Sequence, residues 1–148
     1  VGAAGLENLH AVALARQVGM SPTPCLERVK SLEAASYISG YMACLAPASL
    51  GLGLTVFVQI SLAQTSQTAF DDFRAAVRAI PEIQECHMVA GGYDYLLKVR
   101  VPDMAAYRNF LGAVLSGIPG IRETHSYPVM EAVKESSAIG LAHLQERG

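Results

Sequence analysis

The residues of this chain best suited to binding chemistry lie in a short segment, residues 90–94. Two consecutive glycines, Gly91 and Gly92, carry backbone amides that no side chain covers, so a carboxylate can approach them closely. The carboxylate of Asp94 can accept hydrogen bonds from an α-ammonium group. A carboxylate and an ammonium group are the two ends that amino acids share, so the segment is a candidate amino-acid pocket. The plain alternative is that the paired glycines only form a hairpin turn.

A second candidate site lies in residues 12–33, which have the pattern of a helix, a tight turn and another helix. Gly19 can adopt the left-handed conformation that ends the first helix. Ser21 followed by Pro22 suits the start of the second helix, because a serine can cap it and a proline fits its first position. Such a helix-turn-helix can place its second helix in a major groove of DNA. An apolar stripe at helical spacing on that helix is predicted to be buried, and it consists of Cys25, Val29 and Leu32.

The start and the outer face of this second helix carry the polar residues that can contact DNA. Hydroxyls and amides at a helix N-terminus suit phosphate oxygens, and Arg28 can reach a phosphate or the edge of a guanine. The plain alternative is that the charges form a solvated helix face. The candidate DNA-binding residues are Ser21, Thr23, Pro24, Glu27, Arg28 and Lys30.

An internal repeat organises the second half of the chain. Residues 80–87 and 118–125 share the pattern Ile-Pro-x-Ile-x-Glu-x-His, and each copy follows a helical pattern and begins a strand. Residues 54–62 and 95–101 alternate as strands do. The order is therefore β-α-β-β-α-β, which predicts a ferredoxin-like antiparallel sheet with both helices on one face, in an α+β fold.

The helices of this repeat each carry an apolar stripe that predicts the core. Asp103 suits the cap of the second helix. Phe57 points to the other side of its strand from its apolar neighbours, and no further element of the chain is expected to cover that side. A second subunit is therefore expected to cover it. The two predicted stripes are Phe70, Phe73, Val77 and Ile80, and Met104, Tyr107, Leu111, Val114 and Ile118.

Composition and charge exclude several classes of protein. The net charge of -2 is not that of a general nucleic-acid binder, so DNA contacts require a local basic surface. The three cysteines lack a Cys-x-x-Cys spacing, so neither a disulfide framework nor a structural metal site is expected. No apolar run is long enough to span a membrane, and no signal peptide is recognisable, so a cytoplasmic protein is expected.

An enzyme is the main alternative class, because Cys86, His87 and His125 could be read as a nucleophile with bases. Adjacent residues of a strand point to opposite faces, so Cys86 and His87 cannot pair. The histidines recur with the repeat and are more simply residues of the sheet surface or of an interface. No catalytic residue and no metal ligand is therefore predicted.

Four stretches together resemble the Lrp/AsnC family of bacterial transcription regulators. They read Ser-Pro-Thr-Pro-Cys-Leu-Glu-Arg-Val at 21–29, Ile-Gln-Glu-Cys-His at 83–87, Gly-Tyr-Asp-Tyr-Leu-Leu-Lys at 92–98 and Arg-Val-Pro-Asp-Met-x-x-Tyr at 100–107. The resemblance implies a winged helix-turn-helix joined to a ferredoxin-like effector domain, without a further cofactor. It also implies a homodimer that assembles to an octamer and binds double-stranded DNA in response to a small amino acid such as leucine.

The same resemblance implies more of the effector pocket and the domain limits. Family members form the pocket at a contact between dimers, from the glycine loop and the last strand. The expected domains are a DNA-binding domain in 1–45, a linker in 46–53, a sensing domain in 54–136 and a tail in 137–148. The residues implied for the pocket are Gly91, Gly92, Tyr93 and Asp94 with Thr124, His125 and Ser126, and with Met88 and Met104 as apolar neighbours.

A second interpretation is an amino-acid-binding oligomer of the same family with impaired DNA binding. Residues 1–10 contain Gly2 and Gly5 and do not predict the helix that the family has before its helix-turn-helix, so the DNA-binding half is expected to be truncated. The charges of residues 1–45 also cancel.

Overall fold

The computed structural model describes residues 12–141, which form two compact units divided between Leu45 and Ala46. Residues 1–10, for which no helix is predicted, and most of the predicted tail 137–148 lie outside the described residues. In the first unit, helix α1 covers residues 12–17 and helix α2 covers Pro22–Ala34.

The turn between α1 and α2 forms as the sequence predicts. Gly19 has a φ of 65° and ends α1 in the left-handed conformation, and Ser21 is the N-cap of α2 with Pro22 at its first position. The side chain of Ser21 makes no capping hydrogen bond, and its backbone oxygen accepts from the amide of Cys25 at 3.3 Å. The hydroxyl of Ser21 therefore stays available to a ligand.

The predicted apolar stripe of α2 is only partly buried. Cys25 is 3% exposed and Ala15 of α1 is 1% exposed, whereas Leu32 is 44% exposed. The prediction is wrong for Leu32, whose position in the last turn of α2 leaves its side chain exposed.

The second unit is a four-stranded antiparallel sheet with the strand order β2-β3-β1-β4. This is the ferredoxin-like topology predicted from the repeat, and the predicted bounds of β1 and β3 are confirmed. A short 3-10 turn at Pro47–Leu50 precedes the sheet. The elements are β1 Leu54–Leu62, α3 Gln67–Arg78, β2 Ile83–Met88, β3 Tyr95–Val101, α4 Met104–Asn109 and β4 Ile121–Pro128.

The core lies between one face of the sheet and the two helices. Alternate residues of β1 and β3 are fully buried there, as the period of two in a strand requires. Phe73 of α3 packs on Tyr95 with ring centroids 4.5 Å apart. Each such apolar side chain contributes about 1.5–3 kcal/mol on burial. The side chains with no exposed surface are Val56, Val58, Ile60, Phe73, Leu97 and Val99.

Helix α4 continues irregularly, which changes the set of buried residues. A π-helical turn at Phe110–Val114 and a 3-10 turn at Leu115–Gly117 follow its last α-helical residue. The wider π turn shifts the helical phase, so Phe110 and Leu115 are buried although neither is on the predicted stripe. Met104, which is on that stripe, is 53% exposed. The hydroxyl of Ser116 donates to the carbonyl oxygens of Leu111 and Gly112, at 2.7 and 2.6 Å, and so binds acceptors near the irregular turn.

The face of the sheet opposite the helices is partly covered by this chain itself. Phe57 is 36% exposed on that face, as predicted. The expectation that no other element reaches it is wrong, because the carboxylate of Glu135 contacts Lys98 at 3.2 Å and Arg100 at 2.7 Å. A second subunit over the rest of this face stays a prediction.

The irregular helix predicts an unequal response of two leucines to truncation. Leu115 is 1% exposed and Leu111 is half-buried, so Leu115→Ala is expected to destabilise the domain by about 2–5 kcal/mol and Leu111→Ala by less. Urea unfolding of both variants checks this order. A regular α-helix would reverse it, since Leu111 lies on the predicted stripe and Leu115 does not.

Candidate functional site

Helix α2 presents all six candidate DNA-binding residues to solvent. Lys30 is within 3.8 Å of the carboxylate of Glu27, whereas Arg28 forms no hydrogen bond or ion pair with any residue in the range 12–141. Arg28 is therefore the cation of this helix that is free to bind an anion or a base edge.

The N-terminus of α2 has fewer free amides than a typical helix. Pro22 and Pro24 occupy two of its first three positions and have no amide hydrogen, which leaves the amide of Thr23. Phosphate binding at this end thus relies on the hydroxyls of Ser21 and Thr23 more than on the backbone. The sequence itself shows both prolines, so the expectation that backbone amides at this helix start bind phosphate is limited to the single amide of Thr23.

The glycine loop joins β2 to β3 and is held by backbone hydrogen bonds at its base. The amide of Val89 donates to the oxygen of Asp94 at 3.0 Å, and the amide of Asp94 donates to the oxygen of Ile60 at 2.9 Å. Within the loop, the successive amides of Gly91, Gly92 and Tyr93 have no hydrogen-bond partner among residues 12–141. Three free amides in succession are the kind of group that binds a carboxylate.

The two glycines of this loop are not required by the fold of the chain. Neither has a positive φ, and a Cβ atom placed on Gly91 or Gly92 would meet no atom within 4 Å. The tight hairpin turns that favour paired glycines need positive φ, so the hairpin alternative does not explain them. The space around the loop is open to a group from outside the chain.

One oxygen of the Asp94 carboxylate already accepts a hydrogen bond within the chain. Its Oδ2 atom accepts from the amide of Leu62 at 2.7 Å. The last pair between β1 and β3 is Ile60 with Tyr95, so Leu62 lies beyond it and its amide needs a partner that the strands do not supply. The Oδ1 atom of Asp94 has no partner among residues 12–141 and remains available. The sequence carried no signal for the Leu62 contact, because the two residues are far apart in the chain.

The structure does not bring the other predicted effector residues together in one depression of the chain. Met104 and Ser126 line one depression of about 510 Å³, together with Tyr107, whose hydroxyl is 2.6 Å from the hydroxyl of Ser126. Burial raises the pKa of Tyr107, so this hydroxyl stays protonated. Thr124 lines a smaller depression of about 250 Å³ beside the end of α4.

Met88 and His125 are separated from that group. Met88 lines a groove of about 440 Å³ between α3 and β2, and β2 and β4 are opposite edges of the sheet, roughly 14 Å apart at 4.8 Å per strand. His125 pairs with Gln59, while Thr124 and Ser126 pair with the core residues Ile60 and Val58. One chain therefore cannot bring His125 and its two neighbours to one pocket.

The two histidines of the repeat face the open side of the sheet, each beside a glutamate. His87 is 3.2 Å from Glu85, and His125 is 3.0 Å from Glu123. Hydrogen bonds from His87 and Lys98 hold the pKa of Glu85 below its ordinary value, and the bond to Glu85 raises the pKa of Lys98. Both histidine contacts lie on the exposed surface of the sheet, and no group of three metal-ligating side chains occurs in residues 12–141.

The contact between Asp94 and Leu62 predicts how two variants differ in stability. Asp94→Ala leaves the half-buried Leu62 amide without its acceptor and is expected to cost about 1–3 kcal/mol. Asp94→Asn keeps an oxygen acceptor at the same place and is expected to cost much less. Urea unfolding of both variants measures the difference. Equal loss in the two would show that charge, and not the hydrogen bond, stabilises this end of β1.

Comparison with known proteins follows the same division of the chain. Residues 55–139 match the family described as "Lrp/AsnC ligand binding domain", and residues 8–39 match "Winged helix-turn-helix DNA-binding". The leucine-responsive regulatory proteins of Salmonella typhimurium and Escherichia coli are each 52% identical over 128 residues, which are 86% of this chain and 78% of theirs. No helix in residues 12–141 is both long and apolar enough to cross a membrane.

Solved structures of similar proteins share the fold. A transcriptional regulator of Neisseria meningitidis, in complex with L-methionine, superposes with a TM-score of 0.84 at 36% identity, over 90% of this chain and 86% of that one. The feast or famine regulatory protein of M. tuberculosis, also in complex with L-methionine, gives a TM-score of 0.72 at 30% identity, over 86% and 84% of the two chains.

Proposed function

The chain belongs to the Lrp/AsnC family of transcription regulators, and on that premise we propose which of its residues bind DNA and which bind its amino-acid effector. It is a DNA-binding regulator that responds to an amino acid. We assign DNA binding to residues 1–45, sensing to residues 54–136, and the connection to residues 46–53. A DNA-binding role places the protein in the cytoplasm, and we assign no catalytic role to Cys86 or His87.

The DNA-binding surface is the exposed side of α2. Arg28 is its central residue, because it is exposed and has no partner among residues 12–141. An arginine in this state can bind a guanine through two hydrogen bonds or bind a phosphate. The hydroxyls of Ser21 and Thr23 position the helix start on the backbone of the duplex. Pro24, Glu27 and Lys30 complete the surface.

Replacing Arg28 tests this surface. Arg28→Ala is expected to weaken binding to the best sequence selected from a random DNA pool by about tenfold or more, equivalent to the 1–3 kcal/mol of a base contact. Arg28→Lys, the matched control, keeps the charge but loses the paired hydrogen bonds, so it separates a base contact from a phosphate contact. Fluorescence anisotropy at several salt concentrations measures both. Unchanged affinity of Arg28→Ala at physiological salt would rule out the role.

A second candidate function is an amino-acid-binding oligomer with impaired DNA binding. The two prolines at the start of α2 and the cancelling charges of residues 1–45 favour it. The same selection distinguishes the two candidates. If the wild-type chain selects no sequence above its non-specific binding, the second candidate is correct.

The effector site is built around the glycine loop. We assign the effector carboxylate to the free amides of Gly91, Gly92 and Tyr93, and its ammonium group to the free oxygen of Asp94. The supporting observation is that the fold itself requires neither glycine, since both have room for a side chain and ordinary φ. The relatives are named leucine-responsive or hold L-methionine, so the proposed effector is an aliphatic amino acid of that size.

The remaining residues of the site come from a second copy of the chain. Met104 and Ser126 share a depression, whereas Thr124 and Met88 line other depressions on the helical side and His125 lies on the open side of the sheet. They can complete one pocket only where two copies meet. We therefore propose a homodimer that assembles further, to an octamer, with effector sites between dimers.

A shared pocket of this kind couples the effector to DNA binding. An amino acid that binds only where copies meet favours the assembly that forms the pocket. The assembly in turn sets the spacing between the α2 helices along DNA, which has to match the half-sites of an operator. By linkage, DNA and effector then change each other's affinity by the same factor.

Two variants in the loop test the effector site. Asp94→Asn keeps the Leu62 hydrogen bond but removes the charge that attracts an ammonium group. Gly92→Ala fits the isolated fold but covers the amides. Both are expected to weaken leucine or methionine binding by at least about tenfold, since each removes charge-assisted bonds. Calorimetry measures affinity, and light scattering measures the change of mass on ligand binding.

The control for these variants is Gly112→Ala. A Cβ at Gly112 also meets no atom within 4 Å, and Gly112 lies in the helical segment after α4, away from the loop. It is expected to bind and to assemble like the wild type. A normal response in Asp94→Asn would remove Asp94 from the site.

A further inference from the structure

Apart from Met88, which is assigned to the effector site, the groove between α3 and β2 takes no part in the function proposed above. It has a volume of about 440 Å³ and opens on the same side of the sheet as the helices. Its walls combine apolar, aromatic and cationic side chains with polar ones that include the carboxylate of Glu85. The residues that matter here are Arg74, Val77, Arg78, Ile83, Met88 and Tyr95.

Tyr95 contributes a buried hydroxyl that has no hydrogen-bond partner among the described residues. The residue is 2% exposed, and its ring is held between Phe73, with centroids 4.5 Å apart, and Phe70 at 6.2 Å. A buried hydroxyl without a partner destabilises a folded protein, so native structures nearly always satisfy it. A ligand in the groove can supply the missing partner.

The same groove carries two guanidinium groups one helical turn apart. Arg74 and Arg78 are four residues apart on α3, a spacing at which like charges repel. Arg74 has a partial counter-charge in Asp71 at 3.0 Å, while Arg78 has no partner among residues 12–141. The nearby carboxylate of Glu85 is taken by Lys98 at 3.1 Å and His87 at 3.2 Å. The groove therefore offers positive charge to a ligand and no free carboxylate to an ammonium group.

We propose that this groove binds a small aliphatic carboxylate with a neutral oxygen beside the carboxylate, such as a 2-oxo acid. The guanidinium groups of Arg74 and Arg78 bind the carboxylate, for which their forked geometry is suited. The hydroxyl of Tyr95 donates to the neutral oxygen, and Val77 and Ile83 contact the aliphatic chain. An amino acid fits poorly, because its ammonium group would lie beside two guanidinium groups.

Entry requires two flexible side chains to move. Arg74 and Met88 contact each other in the groove, with Nη2 and Sδ 3.7 Å apart, and the hydroxyl of Tyr95 is closed off from solvent. Arginine and methionine change rotamer readily, so the ligand can displace this contact without moving the backbone. The site is separate from the glycine loop in its chemistry, since the loop binds an ammonium group through Asp94 and the groove excludes one.

The test uses two probes with the same carbon skeleton, leucine and 4-methyl-2-oxopentanoate. They differ only in the ammonium group and the oxo group, so they report on the loop and the groove separately. Thermal unfolding and calorimetry are carried out on the full chain, as the wild type and the variants Asp94→Asn, Arg78→Gln and Tyr95→Phe. The oxo acid is expected to raise the melting temperature of the wild type and of Asp94→Asn alike. Arg78→Gln is expected to weaken oxo-acid binding about tenfold and to leave leucine binding unchanged.

Tyr95→Phe gives a readout that a purely structural tyrosine would not give. Removing the unsatisfied hydroxyl is expected to raise the melting temperature of the ligand-free protein by roughly 2–4 °C and to abolish the rise caused by the oxo acid. A lower melting temperature for ligand-free Tyr95→Phe would mean that water satisfies the hydroxyl, and would overturn the assignment. The proposal also fails if the oxo acid does not stabilise the wild type, or if Asp94→Asn abolishes its effect. If every variant, including Asp94→Asn, still binds leucine like the wild type, the result counts against the glycine-loop site and not against the groove.

Discussion

Successive side chains of a strand point to opposite faces, and in this sheet one of those faces is committed to the helices. Val58 and Ile60 of β1 and Leu97 of β3 have no exposed surface because they point toward the helices. Their neighbours in sequence point to the other face. The alternation determines more than which residues form the core. It places every side chain of the four strands on either the helical side or the open side, and no rotamer can move a residue from one to the other.

This constraint is what separates the residues implied for the effector site. Thr124 and Ser126 pair with core residues of β1 and lie on the helical side, whereas His125 between them lies on the open side. A family resemblance transfers positions along the sequence, and neighbouring positions on a strand need not share a surface. In a single chain the side chain of His125 contacts that of Glu123 on the open side. Because both side chains are exposed, this contact contributes little to stability.

The sequence predicted most of the fold because the fold depends on patterns that the sequence displays. The alternation of β1 and β3 fixed their bounds, and the repeated Ile-Pro motif fixed the order of the elements. The π turn after Asn109 could not be predicted, because it changes the helical phase without any change in the types of residue. The contact of Asp94 with the amide of Leu62 depends on the register of two strands and leaves no local pattern. The unpartnered hydroxyl of Tyr95 likewise depends on tertiary packing, because Phe70 and Phe73 of α3 pack against its ring.

Asp94 shows how such an undetected contact shapes the site. Its backbone closes the glycine loop against Ile60 and its side chain satisfies Leu62, so the loop is attached to the end of the central strand β1 at two points. A ligand that binds the free oxygen of Asp94 and the loop amides is therefore held by a rigid part of the sheet. Rigidity at this point favours a response through assembly, because a loop that cannot close over its ligand leaves the rest of the ligand open to a second copy. In the assembly proposed above, the amino acid acts at the contact between copies, where a change of a few kcal/mol in binding is enough to shift an equilibrium between two assemblies.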